Sequence, residues 1–195
     1  MNPHPEKKYP TIAVCGLDCG LCPRYYTEGT SKCPGCSGPD FFNKHPSCSF
    51  ITCCVKKKGL EVCAQCPQFP CVKFKDTGMY DSFLTYKKAI PNLNFIKESG
   101  IEKFIEQQEK RIRLLETMLK RFDDRRSKSI YCIAATLLPL ETLEKSLDNA
   151  NQKIKADNTK PDDVKTKAKI LKNILNQYAQ KEKIELKLKK QAKSA

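Results

Sequence analysis

Residues 15–22 form the stretch Cys15-Gly16-Leu17-Asp18-Cys19-Gly20-Leu21-Cys22, which decides the fold of the first third of the chain. Two further C-x2-C pairs follow it, Cys33-Pro34-Gly35-Cys36 and Cys63-Ala64-Gln65-Cys66. A C-x2-C pair in a tight turn lets two thiolates point at one ion, and two such pairs complete the tetrahedron of a structural zinc site. The three pairs therefore predict a cysteine-rich metal-binding domain.

The cysteines are concentrated in one part of the chain, because eleven of the twelve lie between Cys15 and Cys71. This segment has few large apolar side chains, so burial alone is not expected to hold about 60 residues together. A structural zinc ion contributes roughly 10–16 kcal/mol of apparent binding free energy at neutral pH. We therefore predict a small irregular domain over residues 11–75 that is stabilised by zinc, with two ions as the expected number.

Ten cysteines are candidate metal ligands, and they fall into a firmer and a less defined set. The firmer set has zinc-ribbon-like spacing and comprises Cys19, Cys22, Cys33 and Cys36. The other set is built on Cys63 and Cys66, with its remaining members to be chosen among Cys48, Cys54 and Cys71. Cys15 completes the ten candidates.

Three other side chains have weaker support as ligands. Cys53 is a surplus thiol beside Cys54. His45 is at ligand spacing from Cys48, although an exposed loop histidine is the favoured interpretation. Cys132 lies in an apolar run and is predicted to be a small buried side chain.

Residues 76–195 are predicted to be helical, so the fold class is mainly α: a cysteine-rich domain plus an all-α region. Composition divides this region into a helical domain, residues 76–157, and a C-terminal Lys-rich helix, residues 158–195. The clearest helix is Ile101–Phe122, where apolar residues recur with a period near 3.6. Other helices are expected at Met79–Ala89, Leu93–Glu98, Ser129–Leu138 and from Leu140 to about Ala156. A short strand is expected at Thr11–Val14, and a capping box of Thr159 and Asp162 is expected to start the last helix.

The chain is strongly basic, with a formal net charge of +14 at pH 7. Such a field favours an anionic partner, either an acidic protein or nucleic acid, although a solvated Lys-rich helix is the simpler interpretation. No run of about 18 apolar residues and no secretory signal is present, so we expect no membrane association and a cytoplasmic location. In that reducing compartment cysteines are expected to bind metal instead of forming disulfides.

The chain resembles a cysteine-rich family of prokaryotic proteins known as a domain of unknown function. The resemblance is carried by residues 15–22 and 33–36, by Cys54-Val55-Lys56-Lys57-Lys58-Gly59, and by residues 63–71, which end in Phe69-Pro70-Cys71. Longer members are also similar over residues 126–135. The resemblance implies zinc and no established activity. The sequence departs from the family pattern at Cys53, at Cys48, which is displaced by one residue, and at Arg125, where relatives often have glycine.

Arg126, Ser127 and Lys128 stand at the start of a predicted helix. Free backbone N–H groups and the cations at such a terminus are suited to bind a phosphate or carboxylate. These three residues are therefore candidates for an anion site, against the alternative of an ordinary helix cap with solvated charges.

The sequence favours a non-enzymatic binding or interaction protein with a basic helical surface. Histidine is scarce, and neither a Ser-His-Asp set nor a phosphate-binding glycine loop occurs in the sequence. One alternative is an iron–sulfur or open-zinc redox or catalytic protein, because iron and zinc both accept thiolate ligands. A nucleic-acid-binding zinc protein is the other.

Overall fold

The computed structural model describes residues 6–44, 48–75 and 77–191, and within these ranges the chain forms helices and turns without a β-strand. The mainly α fold class is thereby confirmed, whereas stabilisation by zinc stays a prediction. The α-helices are α1 (Phe41–Lys44), α2 (Ser49–Ile51), α3 (Ala89–Ser99), α4 (Ile101–Phe122), α5 (Lys128–Leu137), α6 (Leu140–Ala156) and α7 (Val164–Lys181). A π-helical turn at Thr52–Lys57 follows α2 directly, and short 3-10 turns lie at Cys19–Leu21, Gly29–Ser31, Cys63–Gln65 and Val72–Phe74.

The chain divides into two compact units. The first unit consists of Met1–Gln108 with Leu188–Ala195, and the second consists of Glu109–Lys187. Eleven cysteines belong to the first unit and Cys132 belongs to the second. The division into residues 11–75, 76–157 and 158–195 rests on composition and stays a prediction.

The predicted strand at Thr11–Val14 is wrong, because this segment is a series of turns and bends. Its main-chain groups bond to separate segments instead of one neighbouring strand. Gly20 N donates to Thr11 O at 2.7 Å, and Cys63 N donates to Val14 O at 2.9 Å. Ile12 and Val14 are 0% and 1% exposed. The apolar character of the segment therefore reflects burial in a core and not a place in a sheet.

The core of the first unit joins this segment to α3 and to the beginning of α4. Buried apolar side chains from the three parts share one cluster, among them Val14, Leu93 and Phe104. Gly16 permits the close approach, since its φ is +88° and a Cβ atom there would lie 2.1 Å from the Ala89 carbonyl oxygen. A side chain at this position would push the cysteine-bearing loop away from α3.

A buried carboxylate fixes the same loop from the polar side. Asp18 is 5% exposed and accepts hydrogen bonds from Asn92 Nδ2 at 3.0 Å and from Gln108 Nε2 at 2.5 Å. Asn92 Nδ2 also donates to Gly16 O at 3.0 Å. Because Asp18 directly precedes Cys19, these bonds set the position of the second cysteine of the chain.

In the second unit, the predicted helix bounds agree closely with the structure. The α4 helix has the predicted bounds, α5 begins one residue earlier and ends one residue earlier than predicted, and α6 runs from Leu140 to Ala156. Every residue of α5 from Tyr131 to Leu137 is buried, as its apolar sequence predicts. The Arg111 guanidinium donates to the carbonyl oxygens of Ala135 and Leu138, at 2.8 Å each, and so satisfies the C-terminal end of α5.

Two predicted helix starts are wrong. Residues 79–88 are turns and bends, and α3 begins only at Ala89. In that segment the Asp81 carboxylate accepts from Tyr86 N and from Lys189 N, so a side chain competes with the helical backbone pattern. The last helix begins at Val164 with Asp163 as its N-cap, whose carboxylate accepts from Thr166 N at 3.0 Å, instead of at the predicted Thr159 capping box. No helix in the described ranges has the length and apolarity required to cross a bilayer.

Candidate metal centre

The twelve cysteines, all within the described ranges, form no disulfide. The eleven in the first unit make two neighbourhoods. We call the first cluster the thiols of Cys15, Cys19, Cys22, Cys33, Cys36 and Cys48. We call the second cluster the thiols of Cys53, Cys54, Cys63, Cys66 and Cys71. Cys132 belongs to the second unit and is completely buried in α5.

The backbone of the first cluster is built from the quoted cysteine motifs. The 3-10 turn at Cys19–Leu21 brings Cys22 N to 3.1 Å from Cys19 O, so the first C-x2-C pair spans one tight turn. Cys36 N donates to Pro10 O at 2.9 Å. Gly35 has φ +89°, and a Cβ atom there would lie 2.4 Å from Pro10 O. The second C-x2-C pair is therefore packed against the N-terminal segment in a conformation that only glycine accommodates easily.

Burial dominates the electrostatics of the first cluster. It raises the pKa of Cys15 to about 12, and the nearby thiols of Cys36 and Cys48 act in the same direction. Burial also raises the pKa of Cys19 well above its usual value. The nearby thiols of Cys36, Cys15 and Cys22 raise it further. The pKa values of Cys22 and Cys36 are raised for the same primary reason. Without a metal ion, these four thiols are therefore neutral at pH 7.

The second cluster surrounds a small cavity of about 30 Å³. All five of its cysteines line this cavity, together with Lys58 and three aromatic rings. The rings of Phe69 and Phe74 meet edge to face with centroids 5.2 Å apart, and the rings of Phe50 and Phe74 are 4.9 Å apart. The thiols thus face a confined space with an aromatic wall.

Local backbone structure explains why these five thiols converge. Cys53 and Cys54 lie on the π-helical turn, which Gly59 follows with φ +63° as the chain reverses. Leu60 N then donates to Cys54 O at 3.0 Å. The 3-10 turn at Cys63–Gln65 brings Cys66 N to 3.0 Å from Cys63 O, so this C-x2-C pair has the same turn as the first.

Hydrogen bonds dominate the electrostatics of the second cluster. Lys58 Nζ donates to Cys66 Sγ at 3.0 Å and to Gln68 Oε1 at 3.1 Å. The bond from Lys58 lowers the pKa of the Cys66 thiol. A hydrogen bond between the thiols of Cys54 and Cys63 lowers the pKa of Cys54 and raises that of Cys63. Cys54 and Cys66 therefore favour the thiolate, the form in which cysteine binds metals, whereas Cys63 favours the neutral thiol.

The structure places the undecided cysteines in definite neighbourhoods. Cys54 and Cys71 line the same cavity as Cys63 and Cys66, whereas Cys48 acts on the thiols of the first cluster. In the described ranges, no three His, Cys, Asp or Glu side chains stand as a ready-made metal site. The ten cysteines accordingly stay predicted ligands. His45 lies outside the described residues.

Sequence reasoning missed two contributors to this region. Cys53 lines the cavity of the second cluster, although its position in the sequence suggested only a surplus thiol. Its adjacency to Cys54 was the signal that could have indicated this. Lys58 was not recognised, because lysine is common throughout this chain and only the reversal at Gly59 brings its ammonium group to Cys66.

The predicted anion site at Arg126, Ser127 and Lys128 contains an internal carboxylate. Asp124 Oδ1 accepts hydrogen bonds from Arg126 N at 3.1 Å and from the Ser127 hydroxyl. Lys172 Nζ lies 3.6 Å from Asp124 Oδ2. A protein carboxylate therefore already uses donors of the α5 N-terminus, and binding of an external anion there stays a prediction.

Comparison with known proteins gives one finding for the same segment. Residues 11–76 match the model of a family described as a protein of unknown function, DUF3795. Searches of curated proteins and of solved structures gave no match. Both cysteine clusters lie within the matched residues. The similarity to the DUF3795 family therefore covers the cysteine-rich segment, residues 11–76 of the 195.

Proposed function

We propose that the cysteine-rich segment is a zinc-binding module and that the protein is a non-enzymatic binding protein built around it. The observation that carries this proposal is the convergence of five thiols on one cavity of about 30 Å³. A donor set made only of thiols suits zinc or an iron–sulfur cluster and does not suit calcium or magnesium. The space exceeds that of one water-sized probe, so a single ion fits.

Cys54, Cys63, Cys66 and Cys71 are the proposed ligands of the second cluster. They come from the π-helical turn, from the 3-10 turn at Cys63–Gln65 and from the residue before the turn at Val72–Phe74. When bound there, a zinc ion supplies cross-linking and no redox chemistry. The ion would thereby cross-link three short segments that already pack through the rings of Phe50, Phe69 and Phe74.

The first cluster is proposed to hold a second ion. The sequence favours four ligands for it: Cys19, Cys22, Cys33 and Cys36. The charge of Cys36 also raises the pKa of Cys15 and of Cys19, so these thiols lie near one another. Because burial keeps the thiols of Cys19, Cys22 and Cys36 neutral when metal-free, their protons must be released on binding. The remaining thiols, Cys15 and Cys48, are then neighbours and not ligands.

Cobalt substitution tests the proposed second site. Anaerobic titration of the full chain with Co²⁺ is expected to give thiolate charge-transfer absorption in two steps. Cys63→Ser should abolish one step, because it removes a ligand. Cys53→Ser is the matched control, since Cys53 lines the same cavity outside the proposed set, and it should keep both steps. A wild-type chain without thiolate–cobalt absorption would overturn the proposal, and intrinsic visible absorption of the anaerobically purified protein would favour an iron–sulfur cluster instead.

We further propose that the Lys-rich face of α7 is the surface that binds the partner, an acidic protein. Lys165 and Lys169 are exposed one turn apart on this helix. The helix has a single aromatic side chain, Tyr178, whose ring centroid is 5.4 Å from Lys181 Nζ, and this scarcity of stacking surfaces favours a protein over single-stranded nucleic acid. Pull-down at increasing salt concentration should show binding that weakens as salt screens the charges. Recovery of RNA or DNA instead of protein would favour the nucleic-acid alternative.

A further inference from the structure

Lys7 is a buried lysine in the first unit. Only 6% of the residue is exposed, and its ammonium group donates to the carbonyl oxygen of Ile12, a core residue with 0% exposure. Its main-chain N–H donates to Ser37 O at 3.0 Å. Both bonds hold the residue between the Ile12 segment and the turn that carries Cys36.

The charge of Lys7 has no carboxylate partner among the described residues. An ammonium group has three donors, and a single carbonyl acceptor accounts for one. Burial of an unpaired charge is unfavourable unless a counterion is nearby. The environment of Lys7 therefore indicates that an anion belongs close to it.

A second polar group in the same place, the Ser37 hydroxyl, has unused hydrogen-bonding capacity. The Ser37 hydroxyl is completely buried, and no hydrogen-bond partner for its Oγ atom exists in the described part of the chain. Ser37 directly follows Cys36 and has φ +56°. A cation and a hydroxyl donor are thus both placed beside the first cluster, and the thiols are the groups there that can become anions.

The thiols near Lys7 belong to the proposed metal ligands. Its charge lowers the pKa of Cys36, against the larger effect of burial, and it acts in the same direction on Cys19. It also acts on Cys54 of the second cluster, where the hydrogen bond with Cys63 is the larger cause. A zinc ion with four thiolates has a net charge of about −2, which a dry core disfavours. A fixed ammonium group in the same core reduces that net charge without competing for the metal.

We propose that Lys7 is the built-in countercharge of the first cluster and allows this buried thiol set to be loaded with a metal ion. The inference rests on the proposed function, because it concerns the charge of the metal-bound thiolates. Lys7 is a positioning residue, since an ammonium group has only donors and cannot be a metal ligand. Lys58 has a related role at the second cluster, but from the protein surface and through a direct bond to sulfur.

The test measures how zinc protects each cysteine from alkylation, read by mass spectrometry on the full chain at buffered free zinc. In Lys7→Met, the free zinc concentration that protects the first cluster should rise about tenfold or more, the usual effect of losing a residue that supports metal ligands. The midpoint for the second cluster should rise by a clearly smaller factor, because Cys54 is the one proposed ligand there whose pKa Lys7 lowers. Lys8→Met is the matched control, because Lys8 is exposed with Nζ 4.8 Å from the centroid of the Tyr9 ring, and it should change neither midpoint.

A second variant separates charge from folding. Lys7→Arg keeps the positive charge and should retain a first-cluster midpoint closer to wild type than that of Lys7→Met. An equal rise at both clusters in Lys7→Met would indicate a general folding defect and overturn the proposal, as would an unchanged first cluster. If zinc protects only the second cluster of the wild-type chain, the role of Lys7 is wrong while the second metal site stands. If zinc protects neither cluster, the proposed function itself fails.

Discussion

The two cysteine clusters share a backbone motif and differ in the chemistry of their thiols. Cys19–Cys22 and Cys63–Cys66 are both C-x2-C pairs that close one 3-10 turn, with N···O distances of 3.1 and 3.0 Å. Yet burial raises the pKa of Cys22, whereas the bond from Lys58 lowers the pKa of Cys66. Spacing along the chain therefore determines the turn, and the surroundings determine whether the thiol is ionised.

The clusters also differ in what holds them in place. The first cluster is anchored by a packed core and by the buried Asp18 carboxylate. The second belongs to the same core but surrounds a cavity of about 30 Å³ between short turns, where a metal ion has a space to fill. We expect the metal to matter for the fold most at the second cluster.

The largest expected effect is loss of structure in the first unit when metal is removed. Chelation under reducing conditions removes roughly 10–16 kcal/mol of apparent binding free energy per structural zinc, which exceeds the stability of a small domain. Hydrogen exchange should then show lost amide protection around Cys54–Cys71, with α5 and α6 still protected because α5 is a buried apolar helix. If amide protection is the same before and after chelation, neither cluster depends on metal for its structure.

The next effect contrasts a glycine at each cluster. Gly16→Ala should destabilise the first unit by roughly 2–4 kcal/mol, since it combines a positive φ with a clash against the Ala89 carbonyl. Gly59→Ala, beside the second cluster, has φ +63° and open space, so only about 1 kcal/mol is expected. Denaturant unfolding of the two variants measures the difference. Equal effects would contradict the close packing of the first cluster.

Thiol reactivity in the metal-free protein compares the clusters directly. At pH 7, iodoacetamide should modify Cys66 at least about thirtyfold faster than Cys15, because the Cys15 thiolate fraction is lower by about 10³ while its thiolate is intrinsically more nucleophilic. The rate for Cys15 should rise tenfold per pH unit up to about pH 12. That for Cys66 should level off at a lower pH than the rate of an ordinary thiol. Parallel pH profiles would show that the two environments are alike.

The smallest effect concerns Lys58. Lys58→Gln should slow alkylation of Cys66 by about threefold at pH 7, because an exposed hydrogen-bonded cation lowers a thiol pKa only moderately. Lys57→Gln, the adjacent exposed lysine, serves as the control and should leave the rate unchanged. Equal rates in both variants would remove Lys58 from the description of the site.

Patterns that depend on local periodicity could be predicted from the sequence. The bounds of α4 follow from its apolar repeat, and the burial of α5 follows from its uninterrupted apolar run. Thr11–Val14 could not be assigned correctly, because a β-branched buried turn and a buried strand have the same composition. The start of α7 depends on which of several adjacent polar residues caps it, and Asp163 does so instead of Thr159.

Candidate ligands could be proposed from the sequence, but the way the cysteines group in space could not. C-x2-C spacing identifies tight turns, whereas the placing of Cys54 and Cys71 with Cys63, and of Cys48 with Cys15, depends on chain reversals that no short motif specifies. The charged residues beside the thiols were less predictable still. Lys7 precedes Cys36 by 29 residues in the sequence. Only the fold brings its ammonium group into the core that contains the Cys36 thiol.

The most direct test of the metal module is elemental analysis of the full chain purified anaerobically under reducing conditions. We predict two zinc ions per chain for the wild type and one for Cys63→Ser. Protein that is folded, fully reduced and free of zinc and iron would contradict the central claim that the two cysteine clusters form metal sites.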